Sequence, residues 1–117
     1  LENRLLPVSP HPHVPAALFA EFGVRPAASL TEIFSNCDAV VAVAALVPET
    51  LGIITEELLR RLPPTGAFVN VSRRRIVAEP ELVRVAREGR LQIGLDVYAQ
   101  EPLPADHPLR GLNNVIL

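Results

Sequence analysis

The sequence has 117 residues, of which 49% are apolar and 21% are charged, a balance typical of one soluble globular domain. Its 11 basic residues, with no lysine, are outnumbered by 13 acids, so a net charge of -2 provides no field for nucleic acid. The longest apolar run, 39–47, is far too short to cross a bilayer, and the single cysteine, Cys37, excludes an internal disulfide. We therefore expect a cytoplasmic protein that binds neither nucleic acid nor membrane, and we predict no metal site.

Segments typical of strands and of helices alternate along the first half of the chain. An extended segment at 4–9 precedes a helix at 15–22, which Pro15 opens and Gly23 closes. Ser29 and Glu32 have the spacing of a capping box for the short helix "LTEIFS". The apolar run "DAVVAVAAL" at 38–46 then predicts a fully buried strand.

The second half continues the alternation. Thr55 caps a helix at 56–62, a strand follows at 66–71, and a helix at 80–88 ends before Gly89. Strands at 91–97 and 113–117 complete the pattern, with a proline-rich loop at 101–109 between them. The pattern predicts an α/β domain of the Rossmann-like, doubly wound class, in which helices cover both faces of a parallel sheet.

Three consecutive arginines, Arg73, Arg74 and Arg75, directly follow the strand at 66–71. Three interpretations are open. The arginines could belong to a solvated loop, they could bind a phosphate backbone, or one of them could lie at the strand end to bind an anionic substrate. Ligands of open parallel sheets bind beyond the carboxyl ends of the strands. Residues 70–75 and 96–101 follow two successive predicted strands and are expected at this edge. An arginine fork there could bind a carboxylate and polarise a neighbouring carbonyl.

Four stretches add a more specific signal: "PETLGII" (48–54), "VNVSR" (69–73), "GLDVYAQEPLPADHPL" (94–109) and "NNVIL" (113–117). In this order and spacing they resemble the nucleotide-binding domain of the D-isomer-specific 2-hydroxyacid dehydrogenases, and the resemblance covers nearly the whole chain. It implies hydride transfer between a nicotinamide cofactor, NAD or NADP, and a small D-2-hydroxy acid or 2-keto acid. It also implies an intact enzyme that is usually a homodimer.

The resemblance implies roles for particular residues. Arg73 matches the arginine that holds the carboxylate and keto oxygen of the substrate. Glu101 matches the glutamate that hydrogen-bonds the catalytic histidine and favours its protonated form. Asp96 matches the aspartate near the nicotinamide end of the cofactor, and Val71 and Ser72 match positions whose backbone lines the same pocket.

Two departures from the family pattern lie close to these residues. Arg74 stands where the family usually has glycine, which would permit a positive φ or a close backbone approach. We expect Arg74 and Arg75 to turn to solvent or toward the distal anion of a substrate. Val43, Ala44 and Ala45 replace the His-x-Pro turn that touches the cofactor through its backbone in the family.

Two histidines bear on the choice between NAD and NADP and on the identity of the acid–base residue. Ser9 and His11 stand where an acidic residue normally takes the ribose hydroxyls of the adenosine, so NADP is possible. His107 matches a loop position of the family and not its acid–base histidine, and we expect it on the surface.

None of the six glycines forms the Gly-x-Gly-x-x-Gly turn that cradles a pyrophosphate. Residues 1–117 are therefore expected to be a partial dinucleotide-binding domain, inactive alone, with the glycine turn, catalytic histidine and substrate domain outside the chain. In the spatial order 3-2-1-4-5-6, its strands would be the second to the sixth, with a gap between two strand groups. The alternative is a non-catalytic nucleotide-sensing or corepressor-like binding protein on the same domain, and the departures at Val43 and Arg74 leave this alternative open.

Overall fold

A computed structural model describes residues 15–117. The predicted segment at 4–9, with Ser9 and His11, lies outside the described residues. Four helices and four strands follow in the order α1 (Ala16–Glu21), α2 (Leu30–Asn36), β1 (Ala39–Ala42), α3 (Glu56–Arg61), β2 (Ala67–Asn70), α4 (Glu79–Arg87), β3 (Gln92–Leu95) and β4 (Val115–Ile116). Short 3₁₀ helices at Pro48–Thr50 and Arg74–Ile76 lie in the loops that leave β1 and β2.

Local capping chemistry sets the starts of two helices as the sequence predicts. The Ser29 hydroxyl accepts the Glu32 N–H at 3.1 Å, and the Glu32 carboxylate reaches back to the N–H of Ala28 at 2.7 Å. The Thr55 hydroxyl accepts the Leu58 N–H at 3.3 Å in the same way. Each bond satisfies a backbone donor that a helix start otherwise leaves without a partner.

All four strands are parallel, and each pairs with the next along the chain, in the order β1-β2-β3-β4. The Rossmann-like class is thus confirmed, but the strand numbering predicted from the sequence is wrong. We placed the strand at 38–46 on the far side of a gap, whereas β1 pairs directly with β2. One helical crossover, through α3, joins β1 to β2, and such connections most often lead to a neighbouring strand.

The hydrophobic core lies between one face of this sheet and helices α2, α3 and α4. Phe34 and Phe68, both fully buried, meet there with ring centroids 6.3 Å apart. On the opposite face Val41 and Ile116 are exposed, so the prediction of a fully buried strand at 38–46 is wrong for β1. Within residues 15–117, the helices that contribute to the core cover only one face of the sheet, which is why every second residue of β1 stays open to solvent.

No helix within residues 15–117 is both long enough and apolar enough to span a bilayer.

Charged side chains join α3 to α4 on the outer surface. The Glu56 carboxylate accepts from the Arg60 guanidinium at 2.6 Å and from Arg84 of α4 at 2.7 Å. These bonds, first that from Arg60 and then that from Arg84, hold the pKa of Glu56 below its ordinary value. A lowered pKa means that ionised Glu56 stabilises the folded state, and that this contribution is lost as the pH falls through the folded-state pKa.

Replacing Glu56 with glutamine is therefore expected to lower the urea midpoint of this domain at pH 7. The difference from wild type should shrink as the pH is lowered from the ordinary value of 4.5 through the depressed pKa, because the wild-type carboxyl then becomes neutral too. Glu57→Gln is the matched control, since Glu57 pairs only within α3, with Arg61, and its side chain is 78% exposed. Equal effects of the two substitutions at pH 7 would contradict the expectation.

Candidate active site

The parallel register brings the carboxyl ends of three strands to one edge. Ala42 is paired with Asn70, and Asn70 with Leu95, so the loops after β1, β2 and β3 leave the sheet side by side. The Val71 N–H donates to the Ala42 carbonyl at 3.3 Å, and the Asp96 N–H donates to the Asn70 carbonyl at 3.1 Å. This edge is where ligands bind in open parallel sheets.

Asn70, the last residue of β2, shapes the turn that carries the first arginine. It is 1% exposed, and its Oδ1 accepts both the backbone N–H of Ser72 at 3.1 Å and the Ser72 hydroxyl at 2.9 Å. Its Nδ2 donates to the carbonyl oxygen of Arg73 at 3.1 Å. One buried amide therefore fixes the backbone on both sides of Ser72 and sets the direction in which Arg73 leaves the sheet.

Arg73 leaves this turn in an extended conformation, with φ −147° and ψ 141°, and its side chain is exposed. Its Nη1 donates to the Ser72 carbonyl at 2.7 Å. Among residues 15–117, no carboxylate forms an ion pair with Arg73. One terminal nitrogen of the guanidinium is thus held by the backbone, while several other N–H donors stay available to an anionic ligand.

An open cleft of about 470 Å³ lies between the loops after β1 and β2. Its lining comes from short apolar residues and from the turn beyond Asn70: Val43, Ala44, Ala45, Leu46, Val71, Ser72 and Arg73. The cleft therefore brings together Arg73, which the resemblance matched to the substrate, and four residues that it matched to the cofactor pocket: Ala44, Ala45, Val71 and Ser72. Val43 is 74% exposed, so this apolar residue lines the cleft and does not pack in the core.

The remaining predicted residues lie outside this cleft. Asp96 and Glu101 are exposed, and neither contributes to the cleft lining. Asp96 directly follows β3 at the same edge of the sheet, and Glu101 lies farther along the loop that leaves β3. Ser9 and His11 are outside the described residues, so the structure gives no location for the adenosine end of a cofactor.

Arg74 is accommodated without backbone strain. It lies in the 3₁₀ helix Arg74–Ile76, and Thr65 is the only residue other than glycine with a positive φ in the described part of the chain. The conformational freedom that glycine would supply is therefore not used at this position. The side chains of Arg74 and Arg75 are exposed, as expected for a turn toward solvent.

His107 does not have the surface location that we expected from its loop. Its side chain is only 11% exposed, and Nε2 lies 2.9 Å from a carboxylate oxygen of Glu79 on α4. The expectation was wrong because a partner 28 positions away along the chain cannot be seen in the local sequence. Asn70 was missed as well, although a polar residue inside an apolar strand was a signal that could have pointed to it.

A parallel α/β sheet with a cleft at the carboxyl ends of its strands is the architecture of Rossmann-like domains, which bind their ligands at this edge. More specifically, the chain belongs to the D-isomer specific 2-hydroxyacid dehydrogenase family, whose NAD binding domain matches residues 2–117. This match confirms the resemblance drawn from the four sequence stretches.

Two of the known proteins with similar sequences are named as reductases. Hydroxyphenylpyruvate reductase of Plectranthus scutellarioides is 44% identical over 90 residues, which are 76% of this chain and 28% of that protein. Glyoxylate reductase/hydroxypyruvate reductase of Homo sapiens is 32% identical over 109 residues, 92% of this chain and 32% of that protein. The chain thus spans about a third of the length of these relatives, with 28% and 32% coverage.

A solved structure with the same fold carries a cofactor. It is a D-isomer specific 2-hydroxyacid dehydrogenase from Xanthobacter autotrophicus Py2 in complex with NADPH and MES. The TM-score is 0.68 at 36% identity, and the match covers 74% of this chain and 36% of that one.

Proposed function

We propose that the protein is an NAD(P)-dependent oxidoreductase that interconverts a small D-2-hydroxy acid and its 2-keto acid. The observation that carries this proposal is Arg73, an arginine without a carboxylate partner in residues 15–117, held by Asn70 and Ser72 beside an open cleft. Membership of the 2-hydroxyacid dehydrogenase family supplies the reaction class. When bound, the nicotinamide cofactor supplies or accepts the hydride at the second carbon of the substrate.

The cleft fits the nicotinamide end of such a cofactor. Ala44 and Ala45 present small side chains and backbone on one side, and Val71 and Ser72 form the other side. We assign these four residues to cofactor binding, with Asp96 at the adjacent strand end. The adenosine end is assigned to Ser9 and His11, and this pair is compatible with either NAD or NADP because neither side chain is acidic.

Arg73 is assigned to the substrate. A guanidinium donates two parallel hydrogen bonds to a carboxylate, and its charge stabilises negative charge that develops on the neighbouring keto oxygen. Glu101 is assigned to the histidine that carries the proton: a carboxylate close to an imidazole favours the imidazolium form and orients the ring. We propose that this histidine, the pyrophosphate cradle and the substrate domain come from outside residues 1–117.

The full-length protein tests the function directly. With NADH or NADPH it is expected to reduce at least one of glyoxylate, hydroxypyruvate and hydroxyphenylpyruvate, and to form the D isomer wherever the product is chiral. Because the residues proposed for the adenosine end include no acid, NADPH should support turnover at least comparably with NADH. Cofactor binding without turnover of any 2-keto acid would favour the nucleotide-sensing alternative, and a strong preference for NADH would contradict the assignment of Ser9 and His11.

Family resemblance also supports a homodimeric assembly and a cytoplasmic location as parts of the same proposal. Sedimentation of the full-length protein and fractionation of its source cells would test them.

A further inference from the structure

The loop that leaves β3 is a folded unit. We call residues 97–110 the proline loop. The Arg110 guanidinium donates to the carbonyl oxygens of Leu103 and Pro104 at 2.7 and 2.8 Å. Backbone bonds join His107 N–H to the Pro104 carbonyl at 3.1 Å and Arg110 N–H to the His107 carbonyl at 2.9 Å. Its second half, 103–110, is therefore held together by hydrogen bonds within the loop.

This unit is attached to the domain by two apolar side chains and one polar pair. Leu103 and Leu109 are buried, with 8% and 2% exposure. His107 Nε2 meets the carboxylate of Glu79, the first residue of α4, at 2.9 Å. The polar pair is directional, whereas contacts between apolar side chains set no particular orientation.

The hydrogen bonds of His107 define the form of its imidazole ring. The Leu109 N–H can only donate, and it points to Nδ1 at 3.3 Å, so Nδ1 accepts. The ring proton is then on Nε2, which donates to Glu79. Both ring nitrogens are used, one to the loop itself and one to α4, and the ring thereby joins the two.

The space beside this pair is too small for a ligand. A cavity of about 20 Å³, lined by Glu79 and His107 together with Asn70, Arg74 and Tyr98 among others, holds no more than a single water. What the structure shows for this pair is therefore a contact between the proline loop and α4.

Glu101 lies between two fixed points of this loop. On one side the Tyr98 hydroxyl donates to the Leu95 carbonyl at 2.8 Å at the end of β3. On the other side begins the self-bonded unit that contains Leu103 and His107. Glu101 itself is exposed and forms no side-chain hydrogen bond or ion pair within residues 15–117, so its location depends on these two points.

We propose that the Glu79–His107 pair is a positioning device for catalysis: it fixes the second anchor of the proline loop and thereby the carboxylate of Glu101. The proposal rests on the proposed function, because it takes Glu101 as the partner of the catalytic histidine. His107 and Glu79 act through Glu101 and do not touch the substrate.

Replacing His107 with alanine in the full-length protein should lower kcat by about 10- to 100-fold, since a displacement of about 1 Å can cost that much. The dissociation constant for the reduced cofactor should stay unchanged. The His107→Ala, Glu101→Gln double variant should be no slower than Glu101→Gln alone, within about twofold, because the pair acts only through that glutamate. Losses that multiply in the double variant would overturn the proposal.

Conservative substitutions separate positioning from loss of structure. Glu79→Gln keeps an acceptor oxygen for His107 Nε2 and should retain most activity, whereas Glu79→Ala should resemble His107→Ala. In both alanine variants the pH profile of kcat should shift as it does in Glu101→Gln. Arg84→Ala, which removes a surface ion pair from the same helix, is the control and should change neither kcat nor this profile. Equal loss in Glu79→Gln and Glu79→Ala would contradict a hydrogen-bonded pair.

Amide hydrogen exchange tests whether the Glu79–His107 pair fixes the proline loop, and it does so without a measurement of catalytic activity. In His107→Ala the amides of residues 107 and 110, which are protected by hydrogen bonds within the proline loop, should exchange faster, while those of α2 and α3 should not change. If the wild-type protein reduces no 2-keto acid, the proposed function fails, and the exchange experiment still decides whether the pair fixes the loop. Unchanged exchange at residues 107 and 110 would overturn the proposal even in an active enzyme.

Discussion

Arg73→Lys in the full-length protein is expected to lower kcat/KM for a 2-keto acid by at least about tenfold, or about 1.4 kcal/mol of transition-state stabilisation. Lysine keeps the positive charge but loses the planar fork that donates two parallel bonds to a carboxylate. It also loses the bond from Nη1 to the Ser72 carbonyl, which holds the side chain at the cleft. Steady-state kinetics at saturating cofactor measure the effect.

Arg75→Lys is the matched control for this prediction. Arg75 is an exposed arginine two positions along the same loop, and it does not line the cleft. Its backbone carbonyl accepts the Gly52 N–H at 2.8 Å, a bond that the substitution leaves in place. Equal and small losses for both variants, with folding confirmed by circular dichroism, would mean that Arg73 does not hold the substrate and would favour the nucleotide-sensing alternative.

Local rules predicted the helix ends well because the responsible contacts span only a few residues. Ser29 and Glu32 are three positions apart, and their hydrogen bonds follow from that spacing. Gly23 and Gly89 both have positive φ, 62° and 70°, directly after the helices that they were predicted to close. Such features need no knowledge of the rest of the chain.

The strand at 38–46 was predicted too long because apolar residues at this edge of the sheet either pack in the core or line the cleft. In the predicted strand at 38–46, every residue from 39 onward is apolar, yet the ladder ends at Ala42. Beyond it Val43 and Leu46 are exposed and line the cleft. Hydropathy cannot separate a residue that packs in a core from one that lines a ligand cleft, since both are apolar.

The site was predicted from motifs, and its supporting contacts were not. Arg73 was identified from "VNVSR", but the three hydrogen bonds that Asn70 makes to Ser72 and Arg73 appear only in the fold. The Glu79–His107 contact joins α4 to the proline loop, and nothing in either segment indicates the other. Contacts of this kind depend on how elements pack, and one sequence without its structure does not contain that information in readable form.

Asn70→Ala is expected to lower kcat/KM by about 100-fold, because it removes the amide that fixes the turn carrying Arg73, and misplacement by about 1 Å costs that much. The free energy of unfolding should fall by about 1–3 kcal/mol, since the buried N–H of Ser72 then lacks its acceptor. The catalytic loss should appear both as a higher KM for the 2-keto acid and as a lower kcat, with little change in the dissociation constant of the reduced cofactor.

Ser72→Ala is the control that distinguishes the contribution of the Asn70 amide from that of the Ser72 hydroxyl. This variant removes only the bond from the Ser72 hydroxyl to Asn70 Oδ1 and keeps both bonds that involve the backbone. Because one hydrogen bond of about 0.5–1 kcal/mol corresponds to about two- to fivefold, kcat/KM should stay within about fivefold of wild type. If Asn70→Ala were as mild as Ser72→Ala in a correctly folded protein, the buried amide would not direct Arg73. The guanidinium would then be placed by its own bond to the Ser72 carbonyl alone.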